Sequence, residues 1–266
     1  MSELQKLFQE SYFLSTKWEK YFKIYDDVLT KYKNKKIDFV EIGIFQGGSL
    51  EIWKKFFGNQ ARIIGIDLNS ECKKFEKNGF EIFIGNQSNE KFWDNFFNEV
   101  GPADIILDDG GHTNEQQIKT VINCLSNIKD GGILITEDTH TSYMSKYGNP
   151  HKYSFINFTK KIIDDVNLTY PFNNKKKFKI SLNKYVYGIS FYESIVIFNV
   201  DRARCKINKF LINTGVSSGI EDFKHKDSSL IKLGEYLRRK FKFLKNIKLQ
   251  QINYFLKNYR LNKFFK

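Results

Sequence analysis

Cysteine is scarce and scattered in these 266 residues. The three present, Cys72, Cys124 and Cys205, make neither a disulfide framework nor a CxxC metal knuckle. No run approaches the roughly 18 apolar residues needed to span a bilayer, and the opening MSELQKLFQESYF has no signal-peptide core. Internal repeats and low-complexity linkers are also missing. These absences point to a reducing, cytoplasmic setting. Net charge is lacking in most of the chain as well. The total is +13, but residues 201–266 hold 17 Lys and Arg against 5 Asp and Glu, which leaves the first 200 residues near neutral. An argument for nucleic acid or membrane therefore concerns the C-terminal part alone. With 41% hydrophobic and 27% charged residues, the chain has the balance of a globular enzyme.

What is present is an alternation. Residues 1–36 read as an N-terminal helical segment, with Tyr21, Tyr25, Val28, Leu29 and Tyr32 at helical spacing. Short apolar strands then follow at 37–45, 61–68, 80–86, 103–109 and, after a turn, within 129–138. Helical patterns separate them at 49–58, around 72–77, at 89–99 and at 113–128. Two further strands at 185–200 meet at a tight connection around Tyr192–Ser194. The pattern predicts an α/β domain over 37–200, with a Rossmann-like, mostly parallel sheet, helices on both faces and an antiparallel edge hairpin. Residues 201–266 read as a basic, helical C-terminal extension. Within it, 228–266 place apolar residues at 230, 233, 237, 241, 244, 252, 255 and 259 opposite Lys and Arg. That pattern suits packing within the protein or its oligomer, or contact with an anionic membrane surface.

In an open α/β sheet, ligands bind beyond the carboxyl ends of the strands. All five parallel strands end in polar or glycine residues there: Glu41, Gly43, Gly47, Gly48 and Ser49; Asp67; Gly85, Asn86 and Gln87; Asp108, Asp109 and His112; Glu137 and Asp138. The first loop, VEIGIFQGGSLEIW, is neither G-x-G-x-x-G nor a P-loop. Its E-x-G-x-x-x-G spacing suits a cofactor made of a nucleoside and an amino acid, with glycines where backbone approaches the ligand. Asp67 is placed to accept hydrogen bonds from ribose hydroxyls. Asp109, Glu137 and Asp138 converge from adjacent strand ends, and such crowding calls for a cation. All-oxygen ligation favours Mg²⁺ over zinc. His112 stands within reach as a general base. Asp108 reads as a cofactor- or substrate-facing carboxylate, and His140 as at most a substrate contact.

Together, STKWEKYFKIYDDVL, VEIGIFQGGSLEIWKKFFGNQARIIGIDL, IGNQSN, IILDDGGH, GGILITEDTHTSY and ISFYESIVIF resemble the class I S-adenosylmethionine-dependent methyltransferases. The likeness is to the metal-dependent sugar O-methyltransferases of macrolide-tailoring and polysaccharide pathways, and it covers about positions 12–200. It implies transfer of a methyl group from S-adenosylmethionine to a sugar hydroxyl, leaving S-adenosylhomocysteine. Asp109, Glu137 and Asp138 would hold Mg²⁺ and His112 would be the base. Glu41, Gly43, Ser49, Asp67 and Gln87 would line the cofactor site, with Gln87 near the adenine and Tyr25 the aromatic nearby. Where the family commonly has Thr-Asp-Lys, this chain has Ser15-Thr16-Lys17, without the acidic residue. The resemblance also implies a sugar or nucleotide-sugar partner, a role in surface or capsular polysaccharide and a homo-oligomer. Two rival readings are a methyltransferase of RNA or another non-sugar acceptor, and a non-catalytic nucleotide-binding relative.

Overall fold

The computed structural model describes residues 2–147, 153–168, 180–206 and 208–220, with isolated positions at 233, 236, 237 and 239–241. The chain divides into two units, Met1–Lys209 and Phe210–Lys266. In the second unit, residues 210–220 carry no regular structure, and farther on the Phe241 amide donates to the Leu237 carbonyl at 2.8 Å. The amphipathic pattern predicted over 228–266 lies mostly outside the described residues. Among the described residues, no helix is long and apolar enough to cross a membrane.

The first unit is a seven-stranded sheet. In chain order its elements are α1 (Glu3–Gln9), α2 (Glu19–Leu29), β1 (Asp38–Ile42), α3 (Gly48–Phe57), β2 (Arg62–Asp67), β3 (Glu81–Ile84), α4 (Glu90–Val100), β4 (Ala103–Asp108), α5 (Asn114–Cys124), β5 (Ile128–Thr136), α6 (Phe155–Asn167), β6 (Val186–Tyr192) and β7 (Ile195–Val200). The spatial order is β3-β2-β1-β4-β5-β7-β6, with β1 to β5 parallel and β7 antiparallel to both its neighbours. The Rossmann-like sheet and its antiparallel edge hairpin are as predicted, and Ser194 supplies the left-handed turn residue (φ 66°) of that hairpin.

Alternation along the strands buries both faces. Phe39, Ile63, Ile105, Leu107, Ile133 and Ile135 point into one core with α1, α2 and α3. Val40, Ile42, Ile64, Ile66, Ile106 and Leu134 point into the other, with α4, α5 and α6. A strand covered on both sides reads as a continuous apolar run, which is how these strands read in the sequence.

The single N-terminal helix predicted over 1–36 is corrected to two helices separated by residues 10–18. That segment crosses the N-terminus of α3, where other partners compete with helical hydrogen bonds. Ser11 Oγ donates to the Gly48 carbonyl at 3.2 Å, and the Tyr12 amide donates to Glu51 Oε2 at 3.0 Å. The approach is close enough that a Cβ on Gly48 would lie 2.4 Å from the Phe13 carbonyl oxygen. Around 72–77 the helix is a 3₁₀ segment over Ser70–Asn78, and α5 gives way to a 3₁₀ turn at Leu125–Asn127 rather than running on to 128. Between β5 and β6 lies α6, capped by the Ser154 hydroxyl, which accepts from the Asn157 amide at 3.3 Å.

Candidate functional site

Past the last residues of β1, β3, β4 and β5 the sheet ladder continues by one more hydrogen bond. The Gly43 amide donates to Ile66 O (2.8 Å), Gly85 to Asp67 O (2.9 Å), Asp109 to Ile42 O (3.0 Å) and Glu137 to Asp108 O (2.9 Å). These bonds bring Gly43, Gly85, Asp109 and Glu137 into one row at the carboxyl edge. Gly43 is held at φ +87°, and a Cβ there would sit 2.2 Å from the Asp109 carbonyl oxygen. Only glycine meets both demands.

A cleft of about 420 Å³ opens beyond this row, lined by Gly43, Ser49, Asp67, Gln87, Asp109 and His112, with Ser15 and Thr16 of the N-terminal segment also in its wall. Asp67 fastens the first loop over it. Its Oδ2 accepts from the Ile44 and Phe45 amides at 3.1 Å each, and its Oδ1 accepts from the Asn69 amide at 2.9 Å.

Of the predicted cofactor residues, Gly43, Ser49, Asp67 and Gln87 line this cleft, whereas Tyr25, Glu41, Gly47 and Asp108 lie behind its surface. Asp108 faces inward. Its Oδ1 accepts from Gln87 Nε2 at 2.8 Å and from the Gly110 amide at 3.2 Å, and burial holds its carboxyl above the ordinary range. Gln87 in turn accepts from the Gly111 amide at 3.1 Å. Asp108 thus orients Gln87 and the 110–111 turn. Gly47 (φ +79°) caps α3 with the Phe75 ring against it, so that a Cβ would meet the ring at 2.6 Å. Glu41 accepts from Ser49 Oγ at 2.7 Å, while its Oε1 accepts no hydrogen bond among the described residues. Burial pushes the Glu41 carboxyl up to about 7, against the opposing pull of Lys17 and Ser49.

The acidic strand ends surround a residue that the sequence reading left without a role. Lys17 Nζ lies 2.5 Å from Asp109 Oδ2, 2.8 Å from Glu137 Oε1 and 3.8 Å from Glu41 Oε1, and its side chain is only 4% exposed. Burial opposes its charge, but Asp109, Glu137 and Glu41 outweigh that cost and hold the ammonium above its ordinary range. Glu137 also accepts a short hydrogen bond from the Tyr25 hydroxyl. Burial, with Asp109 beside it, keeps the Glu137 carboxyl well above the usual carboxylate range.

Asp109, Asp138 and His112 meet on the open side of this hub, with one ligand atom from each within 4.8 Å of the others. His112 Nε2 is 3.5 Å from Asp138 Oδ2 and 3.9 Å from Asp109 Oδ1. Both His112 (φ 58°) and Asp138 (φ 53°) hold left-handed backbone, a strained conformation that clusters at functional sites. The two carboxylates suit a hard divalent cation with open positions, and the imidazole stands beside them. The predicted third ligand, Glu137, faces Lys17 and Tyr25 instead, so its carboxylate reaches a cation only if the ammonium withdraws. Sequence reasoning also missed Trp18 and Tyr21, whose Nε1–H and hydroxyl donate to Asp138 Oδ1 at 3.1 and 2.6 Å. The only signal for this group was the triplet Ser15-Thr16-Lys17 leading into an aromatic stretch.

No family model matches the chain. It is 30% identical over 131 residues to the mycinamicin VI 2''-O-methyltransferase of Micromonospora griseorubida, a match covering 47% of this chain and 32% of that protein. It is 31% identical over 132 residues to the demethylmacrocin O-methyltransferase of Streptomyces fradiae, covering 47% and 33%. The chain therefore spans about a third of the length of these curated relatives. Among solved structures it is similar to the MycE methyltransferase from the mycinamycin biosynthetic pathway in complex with Mg, SAH and mycinamycin VI. That match has a TM-score of 0.68 at 21% identity and covers 83% of this chain and 57% of the other. The fold is the Rossmann-like fold of these methyltransferases, and the sequence is similar to sugar O-methyltransferases of macrolide pathways.

Proposed function

We propose that the protein is an S-adenosylmethionine- and Mg²⁺-dependent O-methyltransferase acting on a sugar hydroxyl. The observation that carries this reading is continuity: the glycine-rich cleft runs into the Asp109–His112–Asp138 cluster, so a nucleoside cofactor and a cation-held hydroxyl would meet. Gly43, Ser49, Asp67 and Gln87 would hold the cofactor. Asp109 and Asp138 would hold the metal, joined by Glu137 once Lys17 moves aside. Bound there, the cofactor would supply an electrophilic methyl carbon, and the metal would lower the pKa of a chelated hydroxyl.

The chain's own residues do the rest. Asp109 and Asp138 fix two neighbouring hydroxyls in register with the cleft, which converts the reaction to an aligned, effectively unimolecular one. His112 Nε2 takes the proton of the attacking hydroxyl, and Asp138, 3.5 Å away, stabilises the imidazolium that results. Asp67 keeps the first loop closed over the cofactor.

The setting belongs to the same proposal: a cytoplasmic enzyme of surface-polysaccharide assembly, whose basic residues 228–266 would meet an anionic membrane surface. Co-sedimentation with anionic vesicles at moderate salt tests that part. The reaction is tested by mass spectrometry with S-adenosylmethionine and a panel of nucleotide-linked sugars and simple glycosides, with Mg²⁺ and with chelator. A gain of one methyl that chelator abolishes is the expected result. Silence across the panel with cofactor binding retained would reject a small sugar acceptor and leave a polymer, a lipid-linked glycan or RNA to be tried.

A further inference from the structure

Asp138 stands between two clefts. Its Oδ2 faces His112, while its Oδ1 faces the other way and takes the Tyr21 hydroxyl and the Trp18 indole N–H. On that far side lies a second, mainly apolar cleft of about 470 Å³, lined by Trp18, Lys20, Tyr21, His140, Met144 and Glu193. The volume is that of a small-molecule site. We propose that this cleft binds the unit attached to the methylated sugar: a second ring, lying with an apolar face flat on the Trp18 indole. The ring is a further pyranose or an apolar aglycone, which share that chemistry.

The inference rests on the sugar methyltransferase reading and on three observations. Trp18 is 61% exposed, yet its indole is fixed at its polar end by Asp138 and meets His140 edge-on (centroids 6.0 Å apart, interplanar angle 87°). An indole pinned by its N–H with its face left open is an amphipathic platform. Second, the platform is tied to a carboxylate that also faces the base, so a sugar held at Asp138 directs its substituent here. Third, the rim is polar: Lys20 and Glu193 pair across it, and His140 Nδ1 lies 2.5 Å from Ser194 Oγ. Hydroxyls at the edge of a flat ring would meet these groups.

The chain holds three tryptophans, and Trp53 and Trp93 are buried, so an aqueous quencher reports on Trp18. The test uses the full chain with the methyl glycoside, the phenyl glycoside and a methyl disaccharide of one sugar. Two readouts are taken: acrylamide quenching of tryptophan without cofactor, and KM and kcat for methyl transfer. The phenyl glycoside or the disaccharide, but not the methyl glycoside, is expected to shield Trp18. Its KM is expected to be about five- to tenfold lower. Which of the two does so distinguishes aglycone from second sugar. Trp18→Ala should remove the advantage, bringing the KM of the favoured glycoside to that of the methyl glycoside. Trp18→Phe, which keeps a flat ring but loses the N–H, should restore it. An advantage that survives in Trp18→Ala, or equal shielding by all three glycosides, overturns the proposal. Shielding without any methyl transfer supports the cleft and counts against the methyltransferase reading, whereas transfer that ignores the substituent does the reverse.

Discussion

The Lys17 ammonium lies 2.5 Å from the Asp109 carboxylate and at hydrogen-bonding distance from Glu137, in the place where a bound cation's charge would be needed. The acidic strand ends are thus partly neutralised from within, and a divalent cation held by Asp109 and Glu137 would compete with a residue of the same chain.

Lys17→Met should therefore show two opposite effects in one thermal-shift experiment. Without metal the variant loses stability, by about 3–5 kcal/mol if breaking a buried ion pair costs its usual amount. Added Mg²⁺ should raise its melting temperature more than it raises that of the wild type. An equal rise in both would mean that the ammonium and the metal do not compete.

His112→Ala and Asp109→Ala should abolish most turnover while leaving cofactor affinity nearly intact. Loss of a general base costs about 10²–10⁴ in rate. Isothermal titration with S-adenosylhomocysteine alongside the methyl-transfer assay separates the two effects. Near-wild-type turnover in either variant would remove that residue from its role.

Asp67→Ala should act on the cofactor instead. Its carboxylate anchors the Ile44 and Phe45 amides and faces the cleft, so both the loop and the ligand lose an acceptor. Affinity for S-adenosylhomocysteine should fall about 10- to 100-fold, in line with hydrogen bonds to a charged group. Unchanged affinity would place the nucleoside elsewhere.

Glu41 makes stability depend on pH in a direction opposite to most carboxylates. Its folded value of about 7 lies above the ordinary 4.5, because burial favours the neutral carboxyl. Its contribution is full below about 4.5 and is lost as pH rises through about 7. In cofactor-free protein, Glu41→Gln should gain on the wild type from about pH 5 to about pH 8, by roughly 3 kcal/mol at the upper end. A difference that does not change with pH would show that Glu41 titrates normally.

The strands and the edge where ligands gather were readable because both depend on local signals: short apolar runs and the polar residue that ends each. Asp67, Asp109 and Asp138 follow from that logic. The choice between Asp108 and Asp109 does not, because two consecutive carboxylates at a strand end point opposite ways and β4 is apolar on both faces, so its alternation leaves the inward one unmarked. Lys17 was hidden for a different reason. Its partners are fixed by where the 10–18 segment crosses the sheet, and nothing in its neighbours announces a buried ammonium. α6 escaped because its apolar positions, Phe155 and Ile162, sit within a stretch rich in Lys, Asp and Asn.

The N-terminal crossing also bears on the order in which the molecule assembles. Lys17 is 92 positions from Asp109 and 120 from Glu137, among the longest reaches in the fold. Loop closure over such spans is slow. An ammonium buried before its carboxylates exist would carry a prohibitive desolvation cost. A chain growing from its N-terminus therefore cannot bury Lys17 until β5 has joined the sheet. The centre closes only then, so a chain made no farther than β4 cannot hold a finished one.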